Sequence, residues 1–388
     1  MKTMKWLKTL GVVTILLLTS CETIRVEKGY LLPPSQGRVV FYMHLAIPTP
    51  PDVEFTLAGL ELEKEENKWI SIIDTPMDIT SKDLIDRQVL IKEVIVDPGL
   101  YKKIRFYISK AAIKGKDGYV NLALPQPGGE HILESTFRVK PHESAVVSLA
   151  WDPEESISKG YLFQPSFHIE PQGSSLKGLL LFVSNSGSDY ISVIDRGIER
   201  VIRAIDVGKN PKGMALNPNS EMLYVVNTGS RTISIVDTTL LSLRDTIQLT
   251  PSIEPTEIAF LADTSNPLEG KLYITDKRAN NVLVVDTSAR RVRKTLTVGI
   301  APSHVAVDPV RKEAYVTNEG SDTLSIIDAS EDVITNTITV DPKPAGVLVG
   351  KEVVLVEEKV VFVFSEGSLA VSVVSPVFRR VIRTIPIG

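Results

Sequence analysis

The chain has 388 residues with a single cysteine, and its 43 basic and 47 acidic side chains give a formal net charge of −4. This slightly acidic balance argues against binding to nucleic acid. One cysteine excludes a disulfide scaffold, a cysteine-ligated cluster and the C-x-x-C-H attachment of c-type haem. A chain of this length is expected to hold two domains.

Residues 1–20 have the pattern of an export signal peptide. Lys2, Lys5 and Lys8 are followed by an uncharged apolar run at 10–18. As a helix, that run spans about 14 Å, whereas the hydrocarbon core of a bilayer is roughly 30 Å thick. The run therefore indicates the apolar core of a cleaved signal rather than a membrane-spanning helix.

The segment Leu18-Thr19-Ser20-Cys21 follows this run and resembles the bacterial lipobox. The resemblance implies that Cys21 is acylated, as by palmitate, and becomes the mature N-terminus, where several acyl chains give a durable membrane anchor. The alternative is an unmodified Cys21 beside an ordinary cleavage site. We expect an exported protein that is lipid-anchored to the cell envelope, with residues 21–36 as a lipidated tether. Glu22, in place of an aspartate resembling an inner-membrane retention signal, favours the outer membrane where the organism has two membranes.

Residues 37–170 contain short alternating apolar runs separated by turn-forming clusters such as Pro98-Gly99 and Lys116-Asp-Gly118. Runs of this kind with little helical periodicity predict an antiparallel β-sandwich. The runs lie at 39–45, 53–62, 69–73, 89–96, 103–109, 119–123, 135–139 and 144–151.

A set of motifs in this region also resembles a known family. They include Asp97-Pro-Gly-Leu-Tyr101 and Trp151-Asp-Pro-x-x-Ser156. Together they resemble domain of unknown function family 4382, common in prokaryotic lipoproteins, across about residues 37–170. The family's usual Thr-Asp-Ala-Pro opening is replaced here by Ile47-Pro-Thr-Pro50. The resemblance implies a fold and no chemistry.

Self-similarity is the clearest pattern in residues 179–388. Aromatic residues recur every 42 to 49 positions, and polar residues follow each of them at fixed spacings of three and thirteen positions. The aromatic residues are Phe182, Tyr224, Tyr273, Tyr315 and Phe362; three positions later come Asn185, Asn227, Asp276, Asn318 and Ser365; thirteen positions later come Asp195, Asp237, Asp286, Asp328 and Ser375. Five copies in one register predict a repeat architecture.

Each copy reads as three alternating strands, and a fourth short strand follows a proline. Four strands per repeat of this length are typical of a β-propeller blade, and packing blades around an axis buries both apolar faces of each sheet. Tyr315-Val-Thr-Asn318 with Ile326-Ile-Asp328 resembles the YVTN family of β-propeller repeats, which implies a propeller across 179–388. The repeat prolines are Pro211, Pro255, Pro302 and Pro344.

The expected fold is therefore all-β, with an N-terminal antiparallel β-sandwich followed by a propeller of about five four-stranded blades. The sequence yields 19 propeller strands, where five full blades need 20. Either one blade has three strands, or the N-terminal domain lends a strand from about 161–168. An insertion at 350–359 offers a further possibility.

Two kinds of polar position are candidates for function. The repeated Asn and Asp residues have side chains that suit hard cations, but their place at strand ends favours a role in tight turns. The second position after each repeat proline holds Gly213, Glu257, His304 or Gly346. We expect Glu257 and His304 to lie on neighbouring blades near the channel mouth as a candidate ligand-binding pair, with the two glycines leaving space for the ligand.

The favoured function is a membrane-anchored, non-enzymatic module that binds a protein or glycan through its propeller. The alternatives are a lactonase-like hydrolase that uses a channel cation and a periplasmic redox or assembly helper. No nucleophile motif is present, and the other histidines are scattered through the first domain, so no catalytic residue, cofactor or structural zinc site is assigned. Because propellers support both binding and catalysis, the fold alone does not decide between these functions.

Overall fold

The computed structural model describes residues 33, 35–65, 68–125, 128–141, 143–169, 180–217, 219, 221–351 and 359–387. The predicted signal peptide, Cys21 and most of the predicted tether lie outside the described residues. So do His142 and residues 352–358 of the predicted insertion.

The N-terminal region, residues 37–169, is made of β-strands and one short 3₁₀ helix. Its elements are β1 (Gly37–Leu45), β2 (Val53–Glu65), β3 (Lys68–Ile73), β4 (Met77–Thr80), the 3₁₀ helix (Ser81–Leu84), β5 (Val89–Val96), β6 (Gly99–Gly115), β7 (Gly118–Asn121), β8 (Glu130–Val139), β9 (Ser144–Asp152), β10 (Ile157–Ser158), β11 (Leu162–Phe163) and β12 (Ser166–Ile169).

Two sheets of this region share one hydrophobic core. One sheet has the strand order β12-β9-β1-β5; the other has the order β3-β2-β6-β7, with β4 paired to β2 and β8 paired to β6. Trp151 is fully buried among them and lies edge-on to Phe55, with 4.9 Å between ring centroids. Its Nε1 donates a hydrogen bond to Ser156 Oγ at 3.0 Å, which satisfies the one polar group of the indole.

Strand β1 departs from the purely antiparallel pairing predicted, because it runs parallel to β9 and antiparallel to β5. All nine of its residues are buried. A strand buried on both faces needs cover on each side, and alternate residues point in opposite directions. Phe41 faces the shared core, while Val40 and Tyr42 face the first sheet of the C-terminal half.

The described residues of the C-terminal half form five sheets, which we call blades 1 to 5. Blade 1 contains β13 (Leu180–Asn185), β14 (Tyr190–Asp195) and β15 (Arg200–Asp206). Blade 2 contains β16 (Pro211–Asn217), β17 (Met222–Asn227), β18 (Thr232–Asp237) and β19 (Ser242–Gln248). Blade 3 contains β20 (Pro255–Ala262), β21 (Gly270–Asp276), β22 (Asn281–Asp286) and β23 (Arg291–Thr297). Blade 4 contains β24 (Pro302–Asp308), β25 (Glu313–Asn318), β26 (Thr323–Asp328) and β27 (Val333–Thr339). Blade 5 contains β28 (Pro344–Lys351), β29 (Lys359–Ser365), β30 (Ala370–Ser375) and β31 (Arg380–Pro386).

The repeat register predicted from the aromatic residues is confirmed. Each aromatic residue pairs with the residue eleven positions later on the adjacent strand, as in Tyr224 with Ile235 and Tyr315 with Ile326. The three tyrosines are buried, and Phe182 and Phe362 are half-buried. Buried clusters join blade 1 to 2, 2 to 3, 3 to 4 and 4 to 5, so each blade buries its faces against its neighbours.

Within the residues that the structure describes, blade 1 has three strands, and the strand that it lacks is the innermost, proline-led one. The predicted loan from the N-terminal domain does not occur in the described residues, because β12 pairs with β9 and β11 pairs with β10. No cluster of buried side chains within the described residues joins blade 5 to blade 1. The described blades therefore form an open series.

The sheet that contains β1 and β9 packs against the face of blade 1 that a preceding blade would otherwise cover. Tyr190 and Ala204 of blade 1 form a buried cluster with Val40, Tyr42 and Val146. Apolar packing thus joins the N-terminal region to the propeller.

Buried polar contacts reinforce this junction. Arg38 is 2.7 Å from Asp206 of blade 1, and the side chains of both are more than nine-tenths buried. Ser144 Oγ donates to the same carboxylate at 2.6 Å. The Arg38 guanidinium also lies 5.2 Å from the centre of the Tyr190 ring. A buried charge pair with this geometry fixes the orientation of the two surfaces.

Candidate ligand site at the channel mouth

The innermost strands of blades 2 to 5 contact one another, and each begins at a repeat proline. We call the end at which these prolines lie the channel mouth. Directly after each proline, the register of the strand against its neighbour shifts. Such bulges re-aim the side chains that they carry. The candidate residues Glu257 and His304 both lie in these bulges.

The backbone at the two bulges is held by threonine side chains from the adjacent strand. The amide of Glu257 donates to Thr275 Oγ1 at 3.1 Å, and the amide of His304 donates to Thr317 Oγ1 at 3.1 Å. Both threonines are fully buried. The bulge amides are therefore satisfied without help from the Glu257 and His304 side chains, which stay available for other contacts.

Glu257 is half-buried, and its burial raises the pKa of the carboxyl above its ordinary value, while the charges of His304 and Lys212 act in the opposite direction. The charge of His304 therefore acts on the Glu257 carboxyl from the neighbouring blade. Sequence reasoning missed Lys212, which lies directly after Pro211 on blade 2, next to the blade that carries Glu257. The signal that could have found it is the charged side chain directly after Pro211.

Of the two glycines at the same repeat position, Gly213 does not leave the open space predicted for it, whereas a Cβ atom at Gly346 would make only an ordinary van der Waals contact. A Cβ atom at Gly213 would lie 2.9 Å from Glu257 Cα and 3.1 Å from Glu257 Oε2. At Gly346 it would lie 3.5 Å from the Phe364 ring. Glycine at 213 therefore admits the close approach of Glu257, and the space over it is occupied by that side chain.

This arrangement places a carboxyl group, an imidazole and an ammonium group on three successive blades. His304 is exposed, whereas Glu257 and Lys212 are partly buried. Together they offer hydrogen-bond donors, acceptors and both signs of charge to a polar ligand. Within the described residues, no three His, Cys, Asp or Glu side chains are gathered as a metal site.

The repeated Asn and Asp residues serve the turns, as their position at strand ends indicated. In blade 2, Asn227 Nδ2 donates to Thr232 Oγ1 and Ser234 Oγ, both at 3.0 Å. Asn318 makes the equivalent hydrogen bonds in blade 4. Asp237 Oδ1 accepts hydrogen bonds from the amides of Thr239 and Leu240 in the following turn. These side chains bond to the backbone and to neighbouring Ser and Thr hydroxyls, so they contribute to the framework of the blade.

Cys21 lies outside the described residues, so its environment does not bear on the lipidation hypothesis. Among the residues that the structure describes, no helix has the length and apolar character needed to cross a membrane.

Comparison with known proteins adds to this geometry. Residues 169–384, more than half of the chain, match the family model of the YNCE-like beta-propeller. The chain is 28% identical over 137 residues to Antigen Lp49 of Leptospira interrogans, a match that covers 34% of this chain and 28% of Lp49. It therefore spans less than a third of the length of that relative. Among solved structures, hydrazine synthase of Kuenenia stuttgartiensis aligns with a TM-score of 0.40 and 19% identity over 51% of this chain and 63% of that chain.

Proposed function

The chain belongs to the YNCE-like β-propeller family, and we propose that it is a lipid-anchored protein of the cell envelope whose propeller binds a protein or glycan partner at the channel mouth. The propeller fold favours a binding or scaffolding role. The lipid anchor, the envelope location and the nature of the partner are the further parts of the proposal.

The observation that carries the proposal is that the residues that hold the blade backbone differ from the residues that lie at the channel mouth. Buried Asn, Ser and Thr side chains hold the turns of blades 2 and 4 and the bulges of blades 3 and 4. The residue at the second position after each proline is not constant: it is glycine in two blades, glutamate in one and histidine in one. A constant framework that presents variable side chains at one height is suited to recognition, because the side chains change without disturbing the scaffold.

The chemistry of the mouth favours a polar partner. Glu257 accepts hydrogen bonds when ionised, Lys212 donates them, and neutral His304 does both. Sugar hydroxyls and peptide groups offer complementary donors and acceptors. Desolvation of the half-buried Glu257 by a partner strengthens any hydrogen bond made to it.

Site-specific photo-crosslinking in intact cells tests the location. A photoreactive residue in place of Ile300, an exposed residue two positions before Pro302, is compared with one in place of Val310 at the other end of the same strand. We expect a covalent adduct from position 300 and none from position 310. Glu257→Gln and His304→Ala should each reduce the yield from position 300. Equal yields from both ends would contradict binding at the mouth.

Mass spectrometry of the native N-terminal peptide tests the anchor. The expected result is a chain that begins at Cys21 and carries acyl chains. Cys21→Ser should release the protein from the membrane fraction. Cleavage at another residue, or an unmodified Cys21, would refute the anchor while leaving the crosslinking result to decide the binding role.

A further inference from the structure

In blades 2 to 5 a proline-led strand pairs with the strand equivalent to β13, and the corresponding edge of β13 in blade 1 has no such partner among the described residues. In blades 2 to 5, the strand that carries the repeat aromatic residue pairs on one side with the proline-led strand. In blade 1, β13 pairs with β14, and no second strand pairs with it among the described residues. As far as the described part of the chain extends, this edge therefore presents unpaired backbone groups.

The hydrogen bonds of the complete blades show which residues face this edge. The residue four positions after each aromatic donates its amide to the loop that precedes the proline-led strand. Successive residues of a strand direct their backbone groups to opposite neighbours, so the aromatic residue and the residue two positions later also face that strand. These amide donors, with their acceptors, are Thr228 to Asn210, Lys277 to Glu254, Glu319 to Ala301 and Glu366 to Lys343. The equivalent residues facing the edge in blade 1 are Phe182 and Ser184.

The same chain defines the chemistry of a strand that fits. All four occupants begin with proline, carry an apolar residue three positions later, and in three cases have alanine at the fourth position. In blade 4, Val305 and Val307 pack toward the preceding blade. Their counterparts in an occupant of blade 1 would extend the apolar surface of Leu181 and Val183, which are 48% and 37% exposed on the side away from blade 2.

We propose that the free edge of β13 binds an extended, proline-led strand of a partner protein by β-augmentation. Backbone hydrogen bonds supply affinity in this mode of recognition, and alternate side chains supply selectivity. A second copy of the chain is a poorer occupant, because its four proline-led strands are already paired within their own blades. The surface is distinct from Glu257 and His304, and its occupation does not depend on a ligand there.

Binding of a labelled peptide with the sequence of Pro302–Asp308 tests the proposal. In Ser184→Pro the edge loses an amide donor, whereas Ser184→Ala keeps it and serves as the matched control. We expect peptide affinity measured by fluorescence anisotropy to fall at least about tenfold in Ser184→Pro and to stay within about twofold in Ser184→Ala. Equal affinity for Ser184→Pro and the parent protein, or equal loss in both variants, overturns the proposal.

Hydrogen exchange of the unaltered protein gives a second readout that does not rely on the proline variant folding. The amides of Phe182 and Ser184 should exchange rapidly in the free protein and slow down when the peptide is added. If they are already protected at every protein concentration, another segment of the chain occupies the edge. If protection rises with protein concentration alone, a second copy does. Both of these results overturn the proposal, as does unchanged exchange on adding peptide.

Discussion

The N-terminal region and the propeller bury their apolar surface in different ways. The N-terminal region has one cluster to which both sheets contribute, with Trp151 and Phe55 in contact inside it. The propeller has a series of smaller clusters, each shared by two neighbouring blades. A single core responds to damage as a unit, whereas a series loses stability at one junction first. The tryptophans at 6, 69 and 151 all precede the propeller, so tryptophan fluorescence reports on the N-terminal part alone.

The largest effect is expected from Trp151→Ala. The change removes a fully buried indole and leaves a cavity next to Phe55, at a cost of about 3–5 kcal/mol in the free energy of unfolding. Denaturant unfolding followed by the fluorescence of Trp69 should show the whole N-terminal region melting earlier. Conservative Trp151→Phe should recover part of the loss. An unchanged Trp69 transition would contradict a single shared core.

Tyr315→Ala should be almost as costly but local. Tyr315 is buried between blades 4 and 5, and its hydroxyl donates to Glu313 Oε2 at 2.5 Å, so its removal should cost about 3–4 kcal/mol at that junction. Hydrogen exchange should accelerate in blades 4 and 5 and stay unchanged in the N-terminal region. Arg231→Ala, on a turn, should change stability by less than about 0.5 kcal/mol. Equal acceleration in every blade would show that the series acts as one unit.

Asp206→Ala tests how firmly the two regions are joined. It leaves buried Arg38 without its closest partner and Ser144 without an acceptor, so we expect a loss of about 3 kcal/mol at the junction. The matched control is Glu143→Ala, which breaks the more exposed contact with Arg203 and should cost less than about 1 kcal/mol. Calorimetry should show two separate transitions in Asp206→Ala. One unsplit transition in both variants would mean that the apolar cluster alone joins the regions.

Acid should loosen the junction of blades 4 and 5 through Asp308. Burial acts to raise the pKa of this carboxyl, but hydrogen bonds from Lys359 and from the amides of Val310 and Arg311 hold the pKa below its ordinary value. A lowered pKa gives stability that is complete above about pH 4 and is lost as the pH falls further. Urea unfolding between pH 2 and 7 should show this loss, and Asp308→Asn should lack that part of it. Parallel pH profiles would exclude the ion pair as the cause.

The smallest effect should come from Leu369→Gly. Leu369 lies in a turn of blade 5 with a φ of 48°, a conformation that costs a branched residue about 1 kcal/mol and glycine very little. Glycine loses more entropy on folding, so a net gain of up to about 0.5 kcal/mol is expected in thermal unfolding. Ser368→Gly is the control, since φ of Ser368 is not positive, and it should destabilise slightly. A loss at both positions would show that the turn conformation stores no strain.

The sequence predicts the repeated propeller more completely than the N-terminal region and its junction with blade 1. The repeat register follows from fixed spacings, because antiparallel neighbours place Tyr273 and Val284 opposite each other in the same way in each copy. The sequence shows that no proline-led strand precedes the first copy, but it does not show what packs against blade 1. Two contacts at the junction occur only once: Tyr190 packs on Tyr42, and Arg38 pairs with Asp206. Because they are not part of the repeat, the sequence periodicity does not predict them.

The candidate site was predictable to the same extent. The shared spacing from the repeat proline predicts that Glu257 and His304 lie near each other on neighbouring blades, and the charge of His304 acts on the Glu257 carboxyl. The closed space above Gly213 was not predictable, because it depends on how far the bulge turns the Glu257 side chain.

The threonine-held bulge also bears on how such proteins diversify by duplication. Because Thr275 and Thr317 satisfy the amides of the residues after the prolines, a mutation at Glu257 or His304 meets little penalty from the fold. Natural selection can then alter blades 3 and 4 independently at that position. A lineage can change what it recognises one substitution at a time while the inherited blade stays folded throughout.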